Sequence, residues 1–180
     1  MKYQFTLRLL TVAIAGTLVG CSSTTKSPDV AGDIRKSLDQ AGYTDVSVSQ
    51  DRDKGVVTLT GHVAADGDKA QVEQVAKSMA QGQVVADEIS VQPPGEASAV
   101  KTINSDVDRA IEKLMDAALV QNHLHEQVKY SAKNGVLTLT GDVNSQDLRA
   151  QVQQLGAAIP NVQQVVNEIQ VKNQKATGTN

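Results

Sequence analysis

Residues Gly55–Val63 read GVVTLTGHV, and residues Gly135–Val143, 80 positions further along the chain, read GVLTLTGDV. The correspondence continues without a gap to Val91 and Val171, with 16 identities in the 37 positions from Gly55 onward. The chain is therefore an internal duplication. Two copies within 180 residues predict two small domains, each with a thin core and little room for a deep catalytic cavity.

Each copy of the stretch predicts a β-strand bounded by glycines. Val57 and Leu59 lie on one face of such a strand, whereas Thr58 and Thr60 lie on the other, and the second copy repeats this alternation. One face is expected to be buried in a core. The other face can contact water.

Periodic patterns on both sides of the stretch complete each unit. A first helix is predicted after the cap Asp29, and it is followed by a hairpin, a second helix and a third strand. The strand that follows the second helix favours a parallel crossover. The fold class predicted is α+β, with two tandem units, each α-β-β-α-β, and a three-stranded mixed sheet covered on one face by two helices. The residues predicted on the buried side of the first helix are Val30, Ile34, Leu38 and Ala41.

The second unit carries the clearer local signals. Asn134-Gly135 predicts a tight hairpin turn, because both residues tolerate positive φ. Ser145 is predicted to cap the second helix of this unit, and Pro160 marks its end. The first helix of the unit is expected to be longer than its counterpart, with a core stripe of Ile103, Val107, Ile111, Leu114 and Ala118.

These patterns divide the chain into six segments. The two domains are predicted over residues 29–92 and 102–172, and a linker stiffened by Pro93-Pro94 is predicted between them. The other segments predicted are a signal peptide over 1–20, a polar tether over 21–28, the linker over 93–101 and a disordered tail over 173–180.

The N-terminus has the pattern of an export signal. Lys2 and Arg8 precede the apolar run Leu9–Val19, which at 11 residues is too short to span a bilayer. The following Leu18-Val19-Gly20-Cys21 resembles the bacterial lipobox, in which the cysteine becomes the acylated first residue of the mature protein. The alternative is an ordinary secretory signal with an incidental cysteine.

Lipidation of Cys21 would decide where the protein resides. Cys21 is the single cysteine of the 180 residues, so the sequence offers no internal disulfide. Two or more acyl chains give stable membrane anchoring. Ser22 and Ser23 follow where an aspartate would resemble a signal for retention in the inner membrane. The sequence therefore predicts a lipid-anchored protein of the outer membrane that faces the periplasm.

The motifs as a group resemble a known family. The repeated G-V-[VL]-T-L-T-G-x-V, a helix of A-Q-V type and V-x-[DN]-E-I-x-V resemble the BON domain of bacterial envelope proteins, over roughly residues 29–92 and 102–172. With Cys21, the chain looks like a dual-BON outer-membrane lipoprotein. The resemblance implies a non-enzymatic module associated with envelope integrity, osmotic stress and binding of anionic phospholipid. One departure is Pro160-Asn161-Val162, which replaces the glycine seen as Gly82 in the first copy.

Charge limits the class of partner. Removal of Lys2 and Arg8 leaves 15 basic against 20 acidic residues, a net charge of −5, so nucleic acid is not an expected partner. Residues 29–92 carry a net charge of −5, and residues 96–172 carry −2. The second copy is therefore the better candidate for an anionic lipid surface. The basic residues predicted to bind phospholipid head groups are Arg109, Lys113, Lys133 and Arg149.

An ordinary mixed-charge helix surface is the alternative for these basic residues, because Asp106, Asp108 and Glu112 lie close by in sequence. No motif indicates catalysis either. His123-Leu124-His125 has only Glu126 beside it, whereas a zinc site needs three or four ligands. His62 corresponds to Asp142 in the second copy, which indicates a polar exposed position. We therefore expect no enzyme, cofactor, metal or small-molecule substrate.

Three functional hypotheses follow. The leading one is a lipid-anchored envelope protein that binds phospholipid head groups or membrane-associated partners without catalysis. The second is a periplasmic protein-interaction scaffold or chaperone-like factor, which would use the Thr/Ser sheet face and the acidic first domain. The third, a hydrolase or metal enzyme, would require a bound metal.

Overall fold

The repeated stretch forms the central strand of each of two α+β units. The computed structural model describes residues 26–172, so the predicted signal peptide, Cys21 and the predicted tail over 173–180 lie outside the described residues. The elements of the first unit are α1 (Ala31–Gln40), β1 (Val46–Asp51), β2 (Val56–Val63), α2 (Asp66–Met79) and β3 (Val84–Val91). Those of the second unit are α3 (Ala97–Gln121), β4 (Val128–Lys133), β5 (Val136–Val143), α4 (Gln146–Ala157), β6 (Gln164–Asn167) and β7 (Gln170–Val171).

The two sheets have the predicted mixed topology. In the first, β2 pairs antiparallel with β1 and parallel with β3. In the second, β5 pairs antiparallel with β4 and parallel with β6 and β7. The α-β-β-α-β order of each unit is confirmed. The last strand of the second sheet is interrupted between Asn167 and Gln170, whereas β3 runs without a break.

The last glycine of the repeated stretch cannot be replaced without a clash. Gly61 and Gly141 have φ values of +111° and +124°, in the region that disfavours side chains. A Cβ at Gly61 would lie 2.0 Å from the carbonyl oxygen of Asp45. A Cβ at Gly141 would lie 2.2 Å from that of Gln127. The preserved T-L-T-G sequence therefore reflects the close approach of the neighbouring strand.

Each sheet buries one face beneath two helices. Val57 and Leu59 are fully buried in the first core, and their counterparts Leu137 and Leu139 are fully buried in the second. The predicted alternation is therefore confirmed in both copies.

The start of α1 differs from the prediction. Val30 rather than Asp29 is the N-terminal cap residue, and it makes no side-chain cap hydrogen bond. Gln50 of β1 caps the helix instead, because its Oε1 accepts hydrogen bonds from the backbone N–H groups of Val30 at 3.1 Å and Ala31 at 3.3 Å. Val30, Ile34 and Leu38 are buried as predicted, whereas Ala41 is exposed after the helix has ended.

The core stripe predicted for α3 is partly wrong. Ile103 and Leu114 are 61% and 47% exposed, and Met115 and Leu119 are buried in their place beside Ile111. Two apolar stripes at 3.6-residue spacing run along this helix, and the sheet covers the other one. Of the remaining predicted positions, Val107 packs against the core and Ala118 is half-buried.

The local signals of the second unit place its turns. Asn134 and Gly135 have φ values of +47° and +79° and form the β4–β5 turn. Ser145 caps α4, since its hydroxyl accepts the N–H of Leu148 at 3.2 Å, as predicted. The turn before β6 has one positive φ, at Asn161, whereas the corresponding turn of the first unit has two, at Gln81 and Gly82. The departure from the glycine pattern thus changes this turn.

The two units pack against each other through the sheet faces that the helices leave uncovered. Four buried side chains form an apolar cluster between them: Val56, Ala86, Val136 and Val166. Val56 corresponds to Val136 in the repeat, and Ala86 corresponds to Val166. The contact therefore has the self-complementary character of a twofold interface. The contact between the units covers part of the Thr/Ser face that the sequence predicts to be exposed to solvent.

Candidate functional site

Helix α3 extends well beyond the core of its own domain. It has 25 residues, whereas α1, its counterpart in the repeat, has 10. Val107 is the first hydrophobic residue of α3 that packs against the second core. The N-terminal residues Ala97–Asp106 thus project past the domain and have no equivalent in the first unit. Within residues 26–172, no helix combines the length and apolar character needed to cross a bilayer.

One side of α3 carries an exposed apolar stripe. Its members are separated by seven, four and three residues, so they lie along the same side of the helix. We call them the α3 stripe, and they are Ile103, Ala110, Leu114 and Ala117. All four are exposed. Nothing within residues 26–172 covers this side.

Basic side chains lie next to the stripe. Lys113 directly precedes Leu114, is exposed, and has no acidic partner within 4 Å among residues 26–172. Arg109 lies one turn earlier, and its guanidinium is 3.0 Å from the carboxylate of Asp106. The stripe therefore has one unpaired cation at its border and one paired cation further round the helix.

The opposite side of α3 faces the first domain across an open cleft of about 580 Å³. The first domain contributes the ends of β2 and β3, and the second contributes α3 and the β4–β5 turn. We call this space the inter-domain cleft, and its charged lining side chains are Lys101, Asp108, Arg109, Glu112 and Lys133, with His62, Ser90 and Gln92 from the first domain. A second hollow of about 500 Å³ adjoins it on the far side of Asn134.

Asn134 holds the walls of the cleft together. Its backbone N–H donates to Asp108 Oδ2 at 2.8 Å, and the N–H of Gly135 donates to Asp108 Oδ1 at 3.0 Å. Its side-chain amide donates to the carbonyl oxygen of Glu88 at 2.6 Å and accepts from Asn104 at 3.1 Å. The turn is thus joined to α3 of its own domain and to β3 of the other domain.

Two ion pairs and one amide reinforce the contact between domains. Lys133 Nζ lies 2.9 Å from Glu88 Oε2, and Lys54 Nζ lies 2.5 Å from Glu168 Oε2. The side-chain amide of Gln164 accepts the N–H of Asp87 at 3.1 Å and donates to the carbonyl oxygen of Val85 at 2.7 Å, at the outer edge of β3. These bonds place Lys133 and the cleft in a fixed relation to the first domain.

The four basic residues predicted to bind phospholipid lie on three elements, α3, β4 and α4. Arg109 and Lys133 line the same cleft, whereas Lys113 lies beside the α3 stripe. Arg149 lies on α4, where its Nη2 donates to the carbonyl oxygen of Asn167 at 3.1 Å and its buried Nε has no partner. Arg149 thus lies on a different helix from Arg109 and Lys113, which are one turn apart on α3.

Arg149 corresponds in the repeat to Lys69, which lies 4.0 Å from the buried carboxylate of Asp87. Burial raises the pKa of Asp87, and Lys69 offsets only part of that effect. In the second copy, Asn167 stands at the position of Asp87, so Arg149 faces an amide instead of a carboxylate. This pair of positions is a packing feature of each domain.

The histidines do not converge. His123 has a φ of +56° in the turn after α3, and His125 Nδ1 lies 3.0 Å from Asp116 Oδ1. Leu124 between them is buried. Among residues 26–172 there is no group of three or more His, Cys, Asp or Glu side chains that could hold a metal ion. His62 is exposed at the rim of the inter-domain cleft.

Two features of the site were missed in the sequence. Lys101 was assigned to the linker, yet it lies in α3 and lines the cleft. The sequence does not predict the α3 stripe as an exposed surface, because two of its members, Ile103 and Leu114, are predicted to lie in the core. The signal that could have revealed it is the presence of two apolar stripes on one helix, only one of which the adjacent sheet can cover.

Comparison with known proteins identifies the repeated unit. The family model described as the BON domain matches residues 27–93 and 102–173. Osmotically-inducible protein Y of Escherichia coli (strain K12) is 30% identical over 137 residues, which cover 74% of this chain and 65% of that protein. The chain thus spans about two thirds of the length of this curated relative.

Solved structures give only distant similarities. The C-terminal domain of CdsD, the structural protein of the type III secretion system of Chlamydia trachomatis, shares 18% identity with a TM-score of 0.33, over 82% of this chain and 99% of that one. A second CdsD structure gives 18% identity and a TM-score of 0.34, over 80% and 92% of the two chains. At these scores neither similarity bears on function.

Proposed function

This chain belongs to the BON domain family, and from that premise we propose that it is a non-catalytic protein of the bacterial cell envelope that attaches to anionic membrane surfaces through α3. The α3 stripe is the observation that carries the proposal. A helix that buries one apolar stripe in its own core and exposes a second has a surface available for a partner.

An anionic lipid surface fits this side of α3. Ile103 and Leu114 can enter the boundary between head groups and acyl chains, where each fully buried aliphatic side chain contributes roughly 1.5–3 kcal/mol. Lys113 adds about 1 kcal/mol against an anionic head group. These contributions are small, so attachment through α3 alone is expected to be weak and sensitive to salt.

A lipid anchor would make such weak attachment effective. We propose that acylated Cys21 tethers the protein to the outer membrane and that the domains face the periplasm. The acyl chains would hold the protein at the membrane, and the tether would raise the effective concentration of the α3 stripe at the lipid surface.

The proposed physiological role is support of outer-membrane integrity under osmotic stress. The relative from Escherichia coli is named for osmotic induction, and this name is the support for extending that role to the present chain. The contribution of the fold to this role is the exposed apolar surface of α3.

A protein-interaction scaffold is the competing function for the same stripe. Packing between the domains already covers part of the Thr/Ser face that this alternative would use. The exposed side of α3 is an apolar surface that remains available to it. Crosslinking in intact cells distinguishes the two functions, because a dominant protein adduct on α3 would favour the scaffold.

Vesicle flotation tests the proposal. Residues 22–180, which lack the acylated cysteine, are mixed with phosphatidylglycerol-containing vesicles or with phosphatidylcholine vesicles at low and high salt. The protein is expected to float with the anionic vesicles at low salt only. Ile103→Ser combined with Leu114→Ser is expected to abolish flotation, and flotation of this variant at the wild-type level would refute a role for the stripe.

Val120→Ser is the matched control for that experiment. Val120 is 53% exposed on α3 and lies about 100° round the helix axis from Ile103 and about 120° from Leu114. Its substitution removes a similar apolar side chain from the same helix. The control is expected to float like the wild type, and an equal loss in both variants would indicate a general effect on α3.

A further inference from the structure

The turn at which the second domain meets the first contains the pair Asn134-Gly135, the single Asn–Gly pair in the sequence. Deamidation of asparagine begins when the backbone nitrogen of the following residue attacks the side-chain amide carbon. Glycine has no Cβ to shield that nitrogen, so an Asn–Gly pair reacts more readily than other asparagine pairs. Lys54-Gly55 occupies the equivalent turn of the first domain. Of the two hairpin turns, only that of the second domain therefore offers this chemistry.

The attacking nitrogen has a carboxylate beside it. The N–H of Gly135 donates to Asp108 Oδ1 at 3.0 Å, and Oδ2 of the same carboxylate accepts the N–H of Asn134 at 2.8 Å. A carboxylate at hydrogen-bond distance from a reacting N–H can accept its proton as the new bond forms. Asp108 lies on α3, in the same domain as the turn, so this contact does not depend on the first domain.

The amide oxygen of Asn134 has a donor. Asn104, one turn before Asp108 on α3, donates from its Nδ2 to Asn134 Oδ1 at 3.1 Å. Negative charge develops on this oxygen when the nitrogen attacks, and a donor held in place stabilises it. Asn104 belongs to the part of α3 that precedes its first core contact at Val107. The second domain thus supplies both a proton acceptor for the attacking nitrogen and a donor for the oxygen.

The first domain restrains the amide nitrogen of the same side chain. Asn134 Nδ2 donates to the backbone carbonyl oxygen of Glu88, on β3, at 2.6 Å. Closure of a five-membered ring requires the side-chain carbon to turn toward the nitrogen of Gly135, and the bond to Glu88 opposes that rotation. Separation of the domains removes this restraint and leaves the contacts with Asp108 and Asn104 in place.

We propose that Asn134 is a site of spontaneous deamidation, which the docked first domain protects. When the domains part, the nitrogen of Gly135 forms a bond to Cγ of Asn134, and its proton passes to Asp108. The bond from Cγ to the amide nitrogen then breaks, and that nitrogen takes up the proton and leaves as ammonia. Water opens the resulting cyclic imide to aspartate or isoaspartate. A hollow of about 500 Å³ at Asn134 and Gly135 gives water access to the turn.

The product would keep the domains apart. A carboxylate at position 134 cannot donate to the carbonyl oxygen of Glu88, and it adds negative charge beside Asp108. Isoaspartate also lengthens the main chain of the turn by one carbon atom, between the paired residues Lys133 and Val136. Deamidation would therefore convert a transient opening of the domain contact into a permanent one.

The experiment follows deamidation of residues 22–180 at neutral pH by peptide mass mapping. In the wild type, Asn134 is expected to lose its amide faster than Asn104 and Asn122. Val166→Asp places a charge in the apolar cluster between the sheets and is expected to open the contact. Deamidation at Asn134 is then expected to be at least about fivefold faster, the factor equivalent to one hydrogen bond of about 1 kcal/mol. Equal rates in the variant and the wild type would overturn the proposal.

Asp108→Asn, introduced together with Val166→Asp, tests the proton acceptor. It is expected to slow deamidation at Asn134 by at least about tenfold relative to Val166→Asp alone. Asp106→Asn in the same background is the matched control, because Asp106 lies on the same helix and is paired with Arg109 at 3.0 Å. The control is expected to leave the rate unchanged, and equal rates in the two double variants would refute the role of Asp108.

Asn134→Asp imitates the product in a chain that has not deamidated. Its radius of gyration in small-angle scattering is expected to rise above that of the wild type toward that of Val166→Asp. An unchanged radius would contradict the claim that the product holds the domains apart. None of these results depends on whether the α3 stripe binds membranes.

Discussion

Lys54 Nζ lies 2.5 Å from Glu168 Oε2, and this pair joins the β1–β2 hairpin of the first domain to the end of β6 in the second. Glu168 is 12% exposed at its side chain, and Lys54 is 37% exposed. The hydrogen bond that Lys54 donates to the Glu168 carboxylate raises the pKa of Lys54. The repeat equivalents, Asn134 and Glu88, meet across the same interface through a side-chain-to-backbone bond.

Glu168→Gln is expected to lower the free energy of unfolding by no more than about 1 kcal/mol at neutral pH, because Lys54 is partly exposed and screened by water. The folded-state pKa of Lys54 lies above 10.5, so the stabilisation is present at neutral pH and is lost as pH rises through that pKa. Denaturant unfolding of both proteins between pH 7 and pH 11 measures this. A difference that persists unchanged above that pKa would contradict the assignment.

Gly141→Ala is expected to destabilise the second domain by more than about 3 kcal/mol. Its Cβ would lie 2.2 Å from the backbone oxygen of Gln127, and its φ is +124°. Gly67→Ala in α2 is the control, since no atom lies within 4 Å of its Cβ. That control is expected to be neutral or stabilising by up to about 1 kcal/mol. Comparable losses of thermal stability in both variants would argue against the close-approach explanation.

Asp87→Asn is expected to stabilise the first domain at neutral pH. Burial raises the pKa of Asp87, so its charged form is disfavoured in the folded state, and Asn167 shows that an amide fits the equivalent position. For a carboxyl whose folded pKa is raised, stability falls as pH rises from the unfolded to the folded pKa. The advantage of the asparagine variant should therefore disappear under acid conditions, as thermal unfolding across pH can show. A variant less stable than the wild type at pH 7 would mean that the Lys69 contact dominates.

Val166→Asp is expected to separate the domains without unfolding them. Val166 belongs to the four-residue cluster between the sheets, apart from the two cores beneath the helices. A charge buried there without a partner opposes docking by several kcal/mol. Small-angle scattering should show a larger radius of gyration with unchanged far-UV circular dichroism. An unchanged radius would show that the remaining contacts are sufficient to hold the domains together.

The sequence predicted the fold of each domain because its signals were local and the strand pattern appeared twice. The alternation around Leu59 and Leu139, the turn at Asn134-Gly135 and the cap at Ser145 each depend on neighbouring residues alone. Asp29 was assigned as a cap on the same local basis, and a distant side chain, Gln50, takes that role in the fold.

The inter-domain contact could not be predicted from sequence. Val56 and Val166 look like ordinary strand residues, and only the relative placement of the two sheets makes them a buried cluster. The same placement creates the cleft, which Lys101 lines because α3 reaches the first domain. The position of Lys101 in a cleft therefore could not be predicted from the sequence alone.

The side of α3 that meets the core was also decided by packing. Its two apolar stripes have similar spacing, and the choice between Leu114 and Met115 depends on how the helix lies on the sheet. Ile103 and Leu114, the two residues whose burial was wrongly predicted, belong to the α3 stripe on which the proposed function depends.

The most direct test of the α3 stripe is a tryptophan placed on it. The chain contains no tryptophan, so Leu114→Trp gives a fluorescence signal without background, and Val120→Trp gives a matched signal from the same helix off the stripe. On addition of phosphatidylglycerol-containing vesicles, emission from position 114 is expected to shift to shorter wavelength, while emission from position 120 stays unchanged. No shift at position 114, or equal shifts at both positions, would contradict attachment through the stripe.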